Sequence, residues 1–316
     1  MKKRKRMRGD NRDTMINNEE NLERAKKWLL QTTHPRSTIR SYTPLLGATS
    51  SSLYKVEVDD DTYVLRLYTN QEWNEQEPDL AFHEASSLNK MGSSSLQTPQ
   101  MIAVDEMGEQ AGYPAVLMTK VPGKAQLSPM DQNALSQLAK TLHSIHSMEV
   151  DFKWTYSSYY EMEALQAPKW SYQENVWKKA IEYTKRVQSD YTGQDVTFIH
   201  RDYHPMNVLW DDQKITGVVD WVNACIGPRG VDVGHCRLNL ALLYGVEIAD
   251  QFLLEYEKVA ESFTYHPYWD LRMIFEFLPG PPTVYQGWLD VGVTGLTDRR
   301  IEQRFEAYMR SVWERI

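Results

Sequence analysis

Residues 198–221 read F-I-H-R-D-Y-H-P-M-N-V-L-W-D-D-Q-K-I-T-G-V-V-D-W, and this stretch decides the fold. It begins with His200-x-Asp202, sets Asn207 five residues after the aspartate, and closes on Asp220 after the apolar run Ile215 to Val219. The turn residues Asp211-Asp212 lie between two apolar segments, so the pattern predicts a β-hairpin that brings Asn207 and Asp220 to one place. Phosphoryl transfer needs such a set. A carboxylate must orient the attacking hydroxyl and accept its proton, and hard oxygen ligands must hold Mg²⁺ against the phosphates. Asp202 suits the first task, and Asn207 with Asp220 suits the second. A lone aspartate in a turn would require neither the asparagine at that spacing nor the second strand.

Upstream of this stretch the chain changes character once. From about Tyr42 to Pro122 it reads as strand-rich. Tyr54, Val56 and Val58 alternate with Lys55 and Glu57, Asp59 to Asp61 form a turn, and Tyr63, Leu65 and Leu67 continue the alternation. A helix is predicted over Pro78 to Met91, stopped at Gly92, with strands at Met101 to Val104 and Pro114 to Val121. Pro122-Gly123 reads as a hinge. Beyond it the periodicity is helical, with Ser128-Pro129 as the expected cap of a helix carrying Leu135, Leu138, Leu142 and Ile145. Another helix is expected over Tyr172 to Val187, and a further one near the end, striped by Ile301, Phe305, Tyr308 and Val312. The expected organisation is an α+β chain. Residues 1–35 form a basic, flexible segment with the start of a helix, 36–122 a small β-rich lobe, and 123–316 a larger, mainly helical lobe.

The residues around the hairpin resemble those of the aminoglycoside phosphotransferase and choline kinase-like enzymes, small-molecule kinases with a bilobal protein-kinase-like fold. His200, Asp202, Asn207 and Asp220 match that family's catalytic and metal motifs, and further matches run from about Tyr42 to at least Tyr244. The resemblance implies that Arg66 contacts the ATP phosphates and that Glu84 holds its side chain, a carboxylate fixing a phosphate-seeking cation. Arg here replaces the commoner Lys, and its fork binds phosphate differently from a point charge. The loop Leu46 to Ser52, with Gly47 and Ser50, is where the family cradles phosphates, although it lacks G-x-G-x-x-G. Lys120 and Val121, just before Pro122-Gly123, fall where related enzymes hold adenine by backbone groups. Asp232, in Gly230-Val231-Asp232-Val233-Gly234, matches the aspartate that supports the catalytic loop, as does His200. His146, in Ile145-His146-Ser147, matches a histidine expected to pack.

The expected activity is transfer of the γ-phosphoryl group of Mg-ATP to a hydroxyl of a small molecule, such as an aminoglycoside-like antibiotic. Arg201 makes the motif H-R-D as in protein kinases, but no activation segment or A-P-E follows, which favours a small acceptor. Candidate acceptor residues in the C-terminal half are Glu161, Glu163, Glu276 and Asp290, and Trp154, Tyr159, Tyr160, Trp170, Trp269 and Trp288. Two competing readings stay open. His200, Asp202, His204 and His235 imitate a transition-metal cluster of a hydrolase, and the imperfect phosphate loop admits a nucleotide-binding protein without catalysis.

Composition narrows the partners. A net charge of −8 argues against nucleic acid, which is bound by clustered Lys and Arg. At 41% hydrophobic and 25% charged residues, the chain is an ordinary globular one. The basic start M-K-K-R-K-R-M-R is followed by no apolar segment, so neither a signal peptide nor a membrane span is expected. Two cysteines, outside any C-x-x-C, point to a reducing cytoplasm.

Overall fold

The computed structural model describes residues 18–33, 35–45, 51–92, 94–128, 130–191 and 193–316. The chain divides into two compact units, the first ending at Val121 and the second starting at Pro122. Gly47 and Ser50 lie outside the described residues, as do Pro129 and the basic start of the chain.

The first unit begins with helix α1 (Asn18–Thr32) and continues through β1 (Ile39–Leu45), β2 (Ser52–Val58) and β3 (Asp61–Leu67). Helices α2 (Gln71–Gln76) and α3 (Leu80–Met91) follow, then β4 (Met101–Asp105) and β5 (Ala115–Thr119). The strands form one sheet in the order β1-β2-β3-β5-β4, and every pair is antiparallel. Strand alternation sets its two faces. Val56, Val58, Leu65, Leu67 and Leu117 pack with Ala25, Trp28 and Leu29 of α1 in one core cluster. Arg66, between Leu65 and Leu67, therefore points to the other face of the sheet.

The second unit carries β6 (Lys124–Ala125), α4 (Gln132–His146), α5 (Glu174–Tyr191), β7 (Val196–Ile199), β8 (Val208–Asp211), β9 (Lys214–Val218) and β10 (Cys225–Pro228). Helices α6 (Arg229–Tyr244), α7 (Val246–Val259), α8 (Tyr268–Phe275), α9 (Gln286–Asp290) and α10 (Asp298–Trp313) complete it. Two small sheets, β6-β8-β9 and β10-β7, hold the segment 196–228. Helix α6 is the spine: Val231, Val233, Cys236, Leu238, Leu240 and Ala241 are buried around much of its circumference, as expected for a helix covered by others. A Cβ at Gly230 would lie 2.1 Å from Trp269 Cδ1, and one at Gly234 2.8 Å from Trp269 O. These glycines let α6 press against α8.

Two local expectations are corrected. The cap of α4 is Asp131, which accepts from Ala134 N at 2.8 Å, not Ser128. The β8–β9 turn is Asp212-Gln213, one residue later than expected, with both residues at positive φ (43° and 62°), the twist that suits a two-residue hairpin. Helix α6 starts at Arg229, ahead of both of its glycines. Among the described residues no helix is long and apolar enough to cross a membrane.

Candidate active site

The loop from His200 to Asn207 joins β7 to β8 and is pinned from below by one buried carboxylate. Asp232 Oδ2 accepts from His200 N at 2.8 Å, and Oδ1 accepts from Arg201 N at 2.6 Å. His146 Nε2 reaches the same Oδ2 at 3.0 Å, and its Nδ1 meets Tyr256 Oη at 2.6 Å. Burial depresses the His146 pKa against the pull of Asp232, so its imidazole is held neutral. These bonds hold Arg201 at φ 66°, in the left-handed region. That conformation costs a residue with a Cβ about 1–3 kcal/mol and persists only where its surroundings enforce it.

The strained turn presents Asp202. Its Oδ1 lies 3.0 Å from His235 Nε2 and 3.7 Å from His204 Nε2. Its Oδ2 accepts from Asn207 Nδ2 at 3.2 Å, and the same amide donates to Asp202 O at 2.9 Å. Burial alone would raise the Asp202 pKa, but His204 and His235 outweigh it and hold the carboxyl well below the usual carboxylate range. Burial drives His204 down to about 4, so it is neutral at pH 7, whereas the hydrogen bond to Asp202 overcomes burial and raises His235.

Asn207 and Asp220 are joined through the hairpin. Val208 pairs with Val218, and Val219 N donates to Asn207 O at 2.9 Å, so Asp220 directly follows the residue bonded to Asn207. Asp220 takes a left-handed conformation, φ 69°, where strand β9 gives way to the turn Trp221–Asn223. This donor set suits a hard divalent cation. The Asn207 amide nitrogen is committed to Asp202, so Oδ1 is the atom of that side chain open to a cation, and Asp220 follows the residue bonded to Asn207 O.

His200 does not join the Asp202 cluster. Its Nε2 turns to Val219 O at 3.0 Å, tying the loop to the hairpin. Among the described residues the side chains that could ligate a common metal are Asp202, His204 and His235, within 4.8 Å of one another. The sequence drew attention to His235 only for a hydrolase; its hydrogen bond to Asp202 had no signal beyond the histidine itself, 33 positions downstream.

In the first unit, Arg66 and Glu84 form a buried ion pair, Nε to Oε2 3.2 Å, and Tyr68 Oη donates to the same oxygen at 2.7 Å. Lys120 Nζ donates to Val121 O at 3.2 Å, and Val121 is buried. Of the suggested acceptor residues, Trp269 and Trp288 are core, and Glu163 is an exposed partner of Lys185. Tyr159 is different: Arg201 Cζ stands 4.1 Å from its ring centroid.

The chain is similar to known proteins in sequence and in fold. The chain is 23% identical over 222 residues to homoserine kinase of Mesorhizobium japonicum and 26% identical over 211 residues to that of Methylocella silvestris. These matches take in 64% and 63% of this chain, and span 65% and 64% of the relatives' own lengths, under two thirds of each. Among solved structures, choline kinase LicA from Streptococcus pneumoniae aligns over 92% of this chain and 98% of its own, with a TM-score of 0.58 and 13% identity. Aminoglycoside phosphotransferase APH(4)-Ia aligns over 92% and 98%, with a TM-score of 0.61 and 15% identity. At such identities the two structures establish the fold, a protein-kinase-like one with mixed helix and sheet. Residues 41–270, which contain Arg66, Glu84 and the whole 200–220 hairpin, match the sequence model of the phosphotransferase enzyme family, and the chain belongs to that family.

Proposed function

We propose that the chain transfers the γ-phosphoryl group of ATP to a hydroxyl of a small molecule. The observation that carries this reading is Asp202: a carboxylate presented on a strained turn, held by Asn207 and His235, with Asp220 brought next to the residue bonded to Asn207 by the hairpin.

Asp202 has one hydrogen bond to each carboxylate oxygen, which leaves lone pairs to accept from an acceptor hydroxyl. Held below the usual carboxylate range, it is a weak base. It therefore orients the hydroxyl first and takes the proton on a carboxylate oxygen only as the oxygen bonds to phosphorus, which suits the loose transition state of this reaction. His235, bonded to Oδ1, fixes the rotation of the carboxylate. Asp232 and His200 act through the backbone, keeping the 200–207 turn in place.

Asn207 Oδ1 and the Asp220 carboxylate would hold Mg²⁺, which when bound neutralises the phosphate oxygens and aligns them. Arg66, steadied by Glu84, would contact phosphate, and Gly47 and Ser50 would line the loop over it. Backbone groups at Lys120 and Val121 would meet adenine. Related structures described as complexes hold AMP, ADP or AMP-PNP, which supports ATP as the donor. Two buried free cysteines, Cys225 and Cys236, fit a cytoplasmic site of action. No nucleic-acid or membrane partner is part of this reading.

The acceptor is the finer question. An aminoglycoside-like antibiotic is one candidate; homoserine is another, because the curated relatives are homoserine kinases. The test is ADP release from Mg-ATP across aminoglycosides, macrolides, choline, ethanolamine, homoserine and simple sugars, with Asp202→Ala as control. A strong signal with one compound, lost in the variant, is expected. Nucleotide binding with silence across the panel would favour a binding protein, and turnover that needs a transition metal but no ATP would favour a hydrolase built on Asp202, His204 and His235.

A further inference from the structure

Arg272, on α8, is buried, with 6% of its surface exposed. Its Nε has no hydrogen-bond partner, and among the described residues no carboxylate lies within ion-pair distance of its guanidinium. What surrounds it is aromatic. Its Cζ stands 5.0 Å from the Tyr160 ring centroid and 5.9 Å from that of Tyr268. The Tyr156 hydroxyl faces the guanidinium without an aligned bond, and the Tyr156 and Tyr268 hydroxyls are both buried and unpartnered. A buried guanidinium whose nearest polar neighbours are two neutral hydroxyls, none of them in an aligned bond, is an exception that calls for a ligand or bound water.

Arg201 enters the same cluster from the catalytic turn. Its guanidinium lies over Tyr159 and 5.2 Å from the Tyr156 ring, and donates to Ser157 O. At φ 66° glycine would sit without strain, so an arginine there is kept against the preference of the backbone. Glu276, just past α8, is the acidic group of this neighbourhood, and its field acts on Tyr156, Arg201 and His235, the partner of Asp202. Among the described residues neither guanidinium group has a carboxylate within ion-pair distance.

We infer that this cluster binds a carboxylate carried by the phosphoryl acceptor, which makes the substrate a hydroxy acid or hydroxy amino acid. Arg272 and Arg201 supply the charge, and the Tyr156 hydroxyl supplies a neutral donor. Burial pushes Tyr156 up to about 12, so it keeps its proton at neutral pH. Arg201 is the residue next to Asp202 and its guanidinium reaches Tyr156, so the cluster and the Asp202 carboxylate are tied through one turn of backbone. The two guanidinium groups disfavour a polycation, and an ammonium on the same acceptor would find Glu276.

This inference rests on the phosphotransfer reading for its outcome but not for its binding step, and the experiment separates them. Calorimetry on the full chain, without nucleotide, would measure binding of L-homoserine, L-serine, D-glycerate and gluconate, each against a counterpart lacking the carboxylate (3-aminopropan-1-ol for homoserine). At least one carboxylate is expected to bind, and its counterpart to bind at least tenfold more weakly. Arg272→Gln should weaken that carboxylate by about tenfold to a hundredfold, the range for a hydrogen bond to a charged group, and Arg272→Lys should recover part of it. Tyr156→Phe, which removes one hydroxyl and keeps the ring, is the second variant if Arg272→Gln does not fold. Equal binding of the pair, unchanged affinity in both Arg272→Gln and Tyr156→Phe, or no binding by any carboxylate would overturn the inference. If instead carboxylate binding depends on Arg272 but Mg-ATP gives no phosphate ester, the phosphotransfer reading fails and the anion site stands.

Discussion

Asp270 and Arg272 stand two residues apart on one short helix and meet opposite surroundings. Asp270 is fully buried and crowded with donors: Arg237 Nε at 2.9 Å, the Tyr265 and Tyr308 hydroxyls at 2.6 Å each, and Arg315 Nη2 at 3.1 Å. Arg237 is completed by Asp250 at 2.9 Å and by Ala249 O. Every charge there has a partner of opposite sign. Arg272, nearly as buried, has tyrosine rings and a vacant Nε. The fold can neutralise a buried arginine, and does so at Arg237 and again at Arg66. That it does not at Arg272 separates a cation used to hold the molecule together from one left for a partner.

The comparison can be broken in four ways. Asp270→Asn should lower stability by about 3–5 kcal/mol, because it leaves Arg237 buried beside a neutral group; urea unfolding measures this, and a loss below about 1 kcal/mol would undo the structural half of the contrast. Gly227→Ala should come next. The added Cβ would lie 2.7 Å from Tyr156 Cβ, an overpacking worth about 1–3 kcal/mol. It should also raise the acceptor KM by displacing Tyr156, which an equivalent strain at Gly234 would not do. Third, stability should fall as pH drops below the ordinary histidine value of 6.5, because burial depresses His146 in the fold and the unfolded chain takes the proton first. One such group gives a slope of at most about 1.4 kcal/mol per pH unit. His146→Asn should flatten that slope in unfolding curves between pH 7 and 5, and an unchanged slope would detach His146 from it. The smallest effect belongs to Arg272→Gln, which should alter stability by less than about 1 kcal/mol since no ion pair is broken. A loss equal to that of Asp270→Asn would mean that Arg272 is structural after all.

These two regions also differ in how far they could be read from the sequence. The 200–220 hairpin was legible because its chemistry lies within one turn and two short strands, where spacing alone dictates proximity. Even there the turn falls at Asp212-Gln213, since Gln213 accepts a positive φ that composition does not announce. Gly230 and Gly234 of α6 answer to Trp269, far along the chain, a requirement that no local pattern announces. The Arg272 cluster had no local signature. It joins residues near positions 156, 201 and 272, and its defining property, a buried Arg272 with no carboxylate within ion-pair distance, is visible only in three dimensions. Arg66 and Glu84 lay between these extremes: strand alternation and helix phase place them, but only packing brings them to 3.2 Å.

The central claim is that Asp202 directs an acceptor hydroxyl onto the terminal phosphorus of ATP. Phosphorus-31 NMR of wild-type protein and of Asp202→Asn, each incubated with Mg-ATP and the acceptor panel, tests it most directly. A phosphomonoester resonance growing with ADP in the wild type, and slowed by about a hundredfold or more in the variant, is the predicted result. Inorganic phosphate alone, or an ester formed equally fast by Asp202→Asn, would contradict the account.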